Sequence, residues 1–174
     1  MTLGTVTVRR IAQTPQTVAA VQAIVEAAPE YSRLTSGAEP DPSGGASIFD
    51  ALPPGKTGED KYVLAVCLEE KQVGVVDLIR GYPSPDTAML GLLLLSERYQ
   101  ASGIGRSAYM LVERLVRTWP EVRRVRIGVV ETNARVLPYW QRMGFRATGE
   151  TRPYAVGAVA SRVIVLERSL QSAS

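Results

Sequence analysis

The 174 residues contain no histidine, and cysteine occurs once, as Cys67. The first absence removes Ser-His-Asp and Cys-His nucleophilic catalysis, histidine zinc sites and the HExxH metalloproteases. The second removes internal disulfides and cysteine metal clusters, so no metal site is expected. Long apolar runs are also missing. A run such as Met89 to Leu95 is far too short to span a membrane, and residues 1–10 alternate apolar and polar with arginines among them. A soluble, cytoplasmic protein with no membrane partner is expected. The formal charge of +3 is too small to argue for nucleic acid. Whatever chemistry the chain performs must use backbone amides, carboxylates, tyrosines or the ligand itself.

A hydrophobic content of 45% over this length suits one domain, 1–174, built around a continuous core. Thr5 to Ile11 reads as a strand. Thr14-Pro15 caps a helix carrying Val18, Val21, Ile24, Val25 and Ala28. From Ser36 to Asp60 glycine, proline, serine and acidic residues dominate, which reads as a long surface loop with a short helical candidate at Ala46 to Leu52. Tyr62 to Glu69 and Gln72 to Arg80 form a hairpin pattern, and Ala88 to Leu95 a third antiparallel strand. A helix follows, with Ile104, Ala108, Leu111, Val112, Leu115 and Trp119 on one face, ended by Pro120. Arg123 to Val130 is a strand, Asn133 to Met143 a helix stopped at Gly144, and Phe145 to Tyr154 and Ser161 to Arg168 a closing strand pair. A strand–helix–strand order implies a parallel pair with a right-handed crossover. The expected fold is therefore α/β (α+β): a mixed, mostly antiparallel twisted sheet of about seven strands, the fourth and fifth parallel, with helices on both faces.

Between Ser96 and Arg152 there are 11 arginines against five glutamates. They form either solvated helix faces or a field that attracts a polyanion. Within this half, Gln100-Ala101-Ser102-Gly103-Ile104-Gly105-Arg106 joins a very apolar strand to a helix. Glycines let a ligand approach the backbone, and the free N–H groups at the helix start point outward with the positive dipole end behind them. A plain tight connection is the simpler alternative. Gly103, Gly105 and Ala108 also satisfy the dinucleotide fingerprint G-x-G-x-x-A, with Glu131 beyond the next strand. Two spacings oppose a nicotinamide site. Seven residues separate Leu95 from Gly103, and Glu131 lies 28 residues after Gly103 where about 20 are wanted.

Gln100, Gly103 and Gly105 match Q/R-x-x-G-x-G/A, and downstream Asn133 opens a segment closed by Arg142-Met143-Gly144-Phe145. In these two signatures the chain resembles the GNAT superfamily of N-acetyltransferases, closely over Ala88 to Phe145 and elsewhere in element order. The resemblance implies a splayed fourth and fifth strand, acetyl-CoA as cofactor, and transfer of its acetyl group to a primary amine of a small molecule or protein. It implies that amides from Gly103 through Ile104, Gly105 and Arg106 to Ser107, with Gln100, Ala101 and Ser102 leading in, hold the pyrophosphate. Asn133 would bind the pantetheine arm or simply cap a helix, and Leu93, Leu94 and Leu95 would line the gap. Where many members carry a tyrosine that protonates the leaving thiolate, this sequence has Trp140, whose indole N–H is no useful acid. Trp140 is then a packing residue beside the cofactor. Tyr139 is adjacent, but a one-residue step rotates a helical side chain by about 100°.

An amine acceptor near pKa 10.4 must lose a proton, and Glu131 and Asp77 are the candidate bases. Each has a plainer role open, as a surface glutamate and a paired strand aspartate. Tyr154 could face the acceptor or pack. The acceptor site is expected across the sheet from the cofactor, walled by Tyr31 to Asp60 and the Arg80-Gly81-Tyr82-Pro83 loop. A non-catalytic acyl-CoA-binding module stays open as an alternative, as does a homodimer.

Overall fold

The computed structural model describes residues 4–171. In chain order the elements are β1 (Val6–Arg10), α1 (Pro15–Glu26), α2 (Pro29–Ser36), α3 (Gly44–Asp50), β2 (Lys61–Leu68), β3 (Lys71–Arg80), β4 (Thr87–Leu95), α4 (Ile104–Val116), β5 (Arg124–Val130), α5 (Leu137–Arg142), β6 (Arg146–Val156) and β7 (Val159–Ser169). Short 3₁₀ turns at Glu97–Tyr99 and Glu131–Val136 follow β4 and β5. The strands form one sheet ordered β1-β2-β3-β4-β5-β7-β6, in which β4 and β5 are the parallel pair. This is the expected mixed sheet. No helix among the described residues is long and apolar enough to cross a membrane.

β2 and β3 are buried on both faces, which is why their sequences read as almost unbroken apolar runs. On one face α1 and α3 cover Val63, Val75 and Leu94 through Val21, Ile24, Val25 and Phe49. On the other, Tyr109, Val112 and Val116 of α4 and Trp140 of α5 pack with Phe145 on Leu64, Val76, Leu78, Val125, Ile127 and Leu166. α1 starts where Thr14 and Thr17 cap one another reciprocally ahead of Pro15.

Two details depart from the sequence reading. α2 is an addition to it; Pro29 at its first turn and Gly37 in the left-handed conformation at its end bound it. Asn133 does not begin an α-helix. It sits inside a 3₁₀ turn with φ −109°, and the α-helix starts only at Leu137, ahead of Pro138, which needs no donor there. The segment 36–60 keeps its loop character apart from α3.

The feature that makes a site is a failed pairing. β4 and β5 pair only at Thr87–Arg124, Ala88–Val125 and Met89–Arg126. Beyond Met89 they part. On its other side β4 stays on β3, but with a slip: Asp77 opposes Leu92 and Leu78 opposes Leu90, leaving Gly91 as an extra, bulged residue that bends the strand. On its own other side β5 follows β7 through Val130–Val163. At the last shared pair the buried Arg126 guanidinium donates to Glu167 (3.0 Å) and Glu150 (2.7 Å), fixing β5 to β7 and β6 at the vertex.

Candidate active site

The parted strands open a cleft of about 920 Å³. Its walls are Leu90 to Leu95 of β4 and Ile127 to Val130 of β5, and its mouth is ringed by Gln100, Ala101, Gly103, Gly105 and Arg106 from the glycine loop, and Asn133, Tyr139, Trp140 and Arg142 from the segment after β5. From Leu90 onward the edge of β4 that faces β5 has no ladder partner. An extended, amide-bearing chain can bind such an edge as an added strand.

The glycine loop holds its backbone open. Ala101 (φ 55°) and Gly103 (φ 86°) are left-handed, which turns the chain sharply into α4. Among the described residues no acceptor takes the N–H groups of Ala101, Ser102, Gly103, Ile104, Gly105 or Arg106. A run of free donors backed by a 13-residue helix has the geometry and dipole that suit an anion. At Gly103 the space in front of it is open, since a Cβ there would meet no atom within 4 Å. Two loop side chains are spent internally, Gln100 donating to the Leu95 carbonyl (2.9 Å) and Ser102 to that of Tyr99 (2.5 Å). The Ser107 N–H donates to the Gly103 carbonyl as the first helical bond. Ser107 thus drops out of the expected donor set, while the free run reaches back to Ala101.

Asn133 is buried, lines the cleft, and its Oδ1 has no hydrogen-bond partner among the described residues. A buried amide oxygen left so is costly, and it suits an N–H from a bound chain. Leu93 is half-buried in the cleft wall; Leu94 and Leu95 go to the cores of opposite faces. Trp140 is buried edge-on to Tyr109 and Phe145, so it packs as well as lines the cleft. Tyr139, one helical step away, lines it too.

The three candidate catalytic groups separate clearly. Asp77 lies under the bulge, its Oδ2 3.4 Å from where a Gly91 Cβ would stand. Its Oδ1 is 2.7 Å from Lys61 Nζ, and Lys61 also donates to the Ala51 carbonyl. Burial pushes the Asp77 carboxyl above the usual carboxylate range against the opposing pull of Lys61. Glu131 is exposed at the rim and ion-paired with Arg162. Tyr154 donates to the Thr35 carbonyl at 2.7 Å, tying β6 to α2. Glu97 accepts from the Glu30 N–H at the other end of α2, and Thr132 donates to the Leu34 carbonyl. So held, α2 contributes Tyr31 and Thr35 to the cleft, two residues the sequence reading does not single out individually. The Pro29 to Gly37 spacing is the signal that could have found them. The dinucleotide alternative fails on topology, because the sheet is mainly antiparallel and Glu131 is engaged by Arg162.

Comparison with known proteins agrees with this geometry. Among solved structures, an acetyltransferase from Thermus thermophilus superposes with a TM-score of 0.75 at 24% identity, over 98% of this chain and 100% of that one. The ribosomal-protein-S18-alanine N-acetyltransferase from Escherichia coli gives 0.65 at 17% identity, over 98% and 97%. The PaiA N-acetyltransferase from Thermoplasma acidophilum, in complex with coenzyme A, gives 0.65 at 13% identity, over 95% and 99%. At these identities they share the fold. A search of curated proteins returns no match. The family model for the acetyltransferase (GNAT) family matches residues 20–145, which include the glycine loop, the parted strands and the Gly144-Phe145 end, and the chain therefore belongs to that family.

Proposed function

We propose that the protein transfers the acetyl group of acetyl-CoA to a primary amine by direct attack. The observation that carries this reading is the conjunction of six free amides with a cleft between unpaired strand edges. In this reading the amides of Ala101 to Arg106 hold the diphosphate, with the Arg106 and Arg142 side chains adding charge at the mouth. The pantetheine amides add to the free edges of β4 and β5, and Asn133 Oδ1 accepts one of their N–H groups. Bound acetyl-CoA supplies an activated thioester carbonyl, which the bound length directs toward the vertex near Gly91.

The amine enters from the α1–α2 face. Asp77 takes its proton, aided by the burial that raises its basicity over an ordinary carboxylate. Nitrogen then bonds to the carbonyl carbon, and a backbone N–H on the unpaired edge between Gly91 and Leu94 steadies the oxyanion. One such donor contributes about 3 kcal/mol in other oxyanion holes. Collapse breaks the C–S bond and releases a thiolate whose pKa is about 8.5, so it leaves without a strong acid, and the proton that the new amide nitrogen sheds passes to it. Glu131, held by Arg162, fits a structural role better than that of base, and Tyr154, held on Thr35, fits a structural role better than a catalytic one.

The test is to incubate protein with acetyl-CoA and a panel of small amines and peptide N-termini and to follow thiol release. Turnover on at least one amine is expected. Binding of acetyl-CoA with no turnover on any would favour instead a non-catalytic acyl-CoA-binding module, a reading that Trp140 in the tyrosine's place supports.

A further inference from the structure

Among the described residues five buried side-chain polar atoms lack a hydrogen-bond partner: Asp77 Oδ1, Tyr109 Oη, Asn133 Oδ1, Tyr139 Oη and Arg168 Nε. Asp77 and Arg168 lie against opposite charges at 2.7 and 2.8 Å, and Tyr109 lies beside Glu113. Asn133 has its role in the reading above. Tyr139 is left over. Its ring stands edge-on to Trp140 at 5.0 Å, and the residue lines the cleft.

The hydroxyl stands close to the glycine loop. A Cβ built on Gly105 would lie 3.0 Å from Tyr139 Oη and 3.7 Å from Leu95 Cδ1. The phenol therefore occupies the space a side chain at 105 would take, beside the free amides and at the Leu95 end of β4. The vertex, where a thioester would react, is near Gly91, four residues and about 13 Å away along the strand. We propose that the Tyr139 hydroxyl donates to the diphosphate of the bound cofactor, adding one side-chain arm to the amide cradle. This rests on the acetyl-CoA reading above. Burial pushes the phenol up to about 12, so it remains a neutral O–H donor at neutral pH. The arm also explains Gly105: even an alanine methyl would press on the hydroxyl.

The test compares wild type with Tyr139→Phe, which removes no hydrogen bond within the protein and should leave the thermal midpoint unchanged. Coenzyme A affinity is measured by calorimetry, and kcat/KM with acetyl-CoA and with S-acetylpantetheine, which has no diphosphate. A lost charge-assisted hydrogen bond predicts that Tyr139→Phe weakens coenzyme A about tenfold or more and lowers kcat/KM for acetyl-CoA similarly. S-acetylpantetheine turnover should not change. Gly105→Ala should weaken coenzyme A in the wild type and much less in the Tyr139→Phe background. Equal coenzyme A affinity in wild type and Tyr139→Phe overturns the proposal, as does an equal loss with both thioesters, which would put the hydroxyl at the reacting end. If wild type itself does not bind coenzyme A, the acetyl-CoA reading has failed, a result distinct from a tight wild type with an indifferent phenol.

Discussion

Replacing Gly103 by Asp and, in parallel, by Asn isolates the charge term of the glycine loop. The position has φ 86°, a left-handed conformation that Asp and Asn both tolerate better than other side chains, and open space where a Cβ would stand. Strain and bulk are therefore nearly the same in the two variants, and the carboxylate is the difference. If it sits about 5 Å from a diphosphate of charge about −2 in full water screening, the repulsion is about 1.7 kcal/mol, or more where the protein excludes water. That is an affinity ratio of about 20 between Gly103→Asn and Gly103→Asp for coenzyme A. Calorimetry at low ionic strength should show it, and it should shrink toward unity near 1 M salt, where screening acts over about 3 Å. Equal thermal midpoints would show that both variants fold alike. Equal coenzyme A affinities for the pair at low salt would refute the cradle, since no diphosphate could then lie against this loop.

Other consequences concern the base, the vertex and the buried phenols. Asp77→Asn should lower kcat by about 10²- to 10⁴-fold with the acetyl-CoA KM unchanged. It should also abolish the acidic limb of the pH–rate profile, because the carboxylate form is the active one; a retained limb would assign the base elsewhere. Arg126→Met removes the buried cation shared by Glu150 and Glu167, which keep Arg152 at 2.7 Å and Arg124 at 3.5 Å, so the cost should be about 2 kcal/mol in urea unfolding. A loss below about 1 kcal/mol would mean the vertex does not depend on that cluster. Burial is the first cause raising both Tyr31 and Tyr139 to about 12, above the unfolded value near 10. Their contribution to stability is therefore complete below about pH 10 and is lost as pH rises from there through 12. Urea midpoints measured across this range should fall steeply in wild type and less in Tyr31→Phe.

What could be read in advance was whatever local pattern determines. β2 and β3 announce themselves because both faces are buried, and Gly103 and Gly144 because each takes a left-handed φ at a helix end. α2 escaped because its residues are mostly polar and only Thr35 is buried; contacts to Glu97, Thr132 and Tyr154, distant in sequence, hold it. The same limit applies to the candidate site. That Asp77 is tied to Lys61 and Glu131 to Arg162 depends on pairing across strands, which no short-range pattern encodes. Helical rotation does point Tyr139 and Trp140 in different directions, yet angle alone does not exclude either from the cleft. In a six-residue helix wedged between α4 and the cleft, Trp140 turns to the core and Tyr139 to Gly105, and both border the same space.

The most direct test of the central claim follows the amide resonances of uniformly ¹⁵N-labelled protein as coenzyme A is added. The account predicts large shifts and slowed hydrogen exchange at Ala101 to Arg106 and along Leu90 to Leu95 and Ile127 to Val130, with the outer surfaces of α1 and α3 little changed. Saturable binding whose shifts fall elsewhere, with exchange at Gly103 to Arg106 as fast as in the free protein, would contradict it.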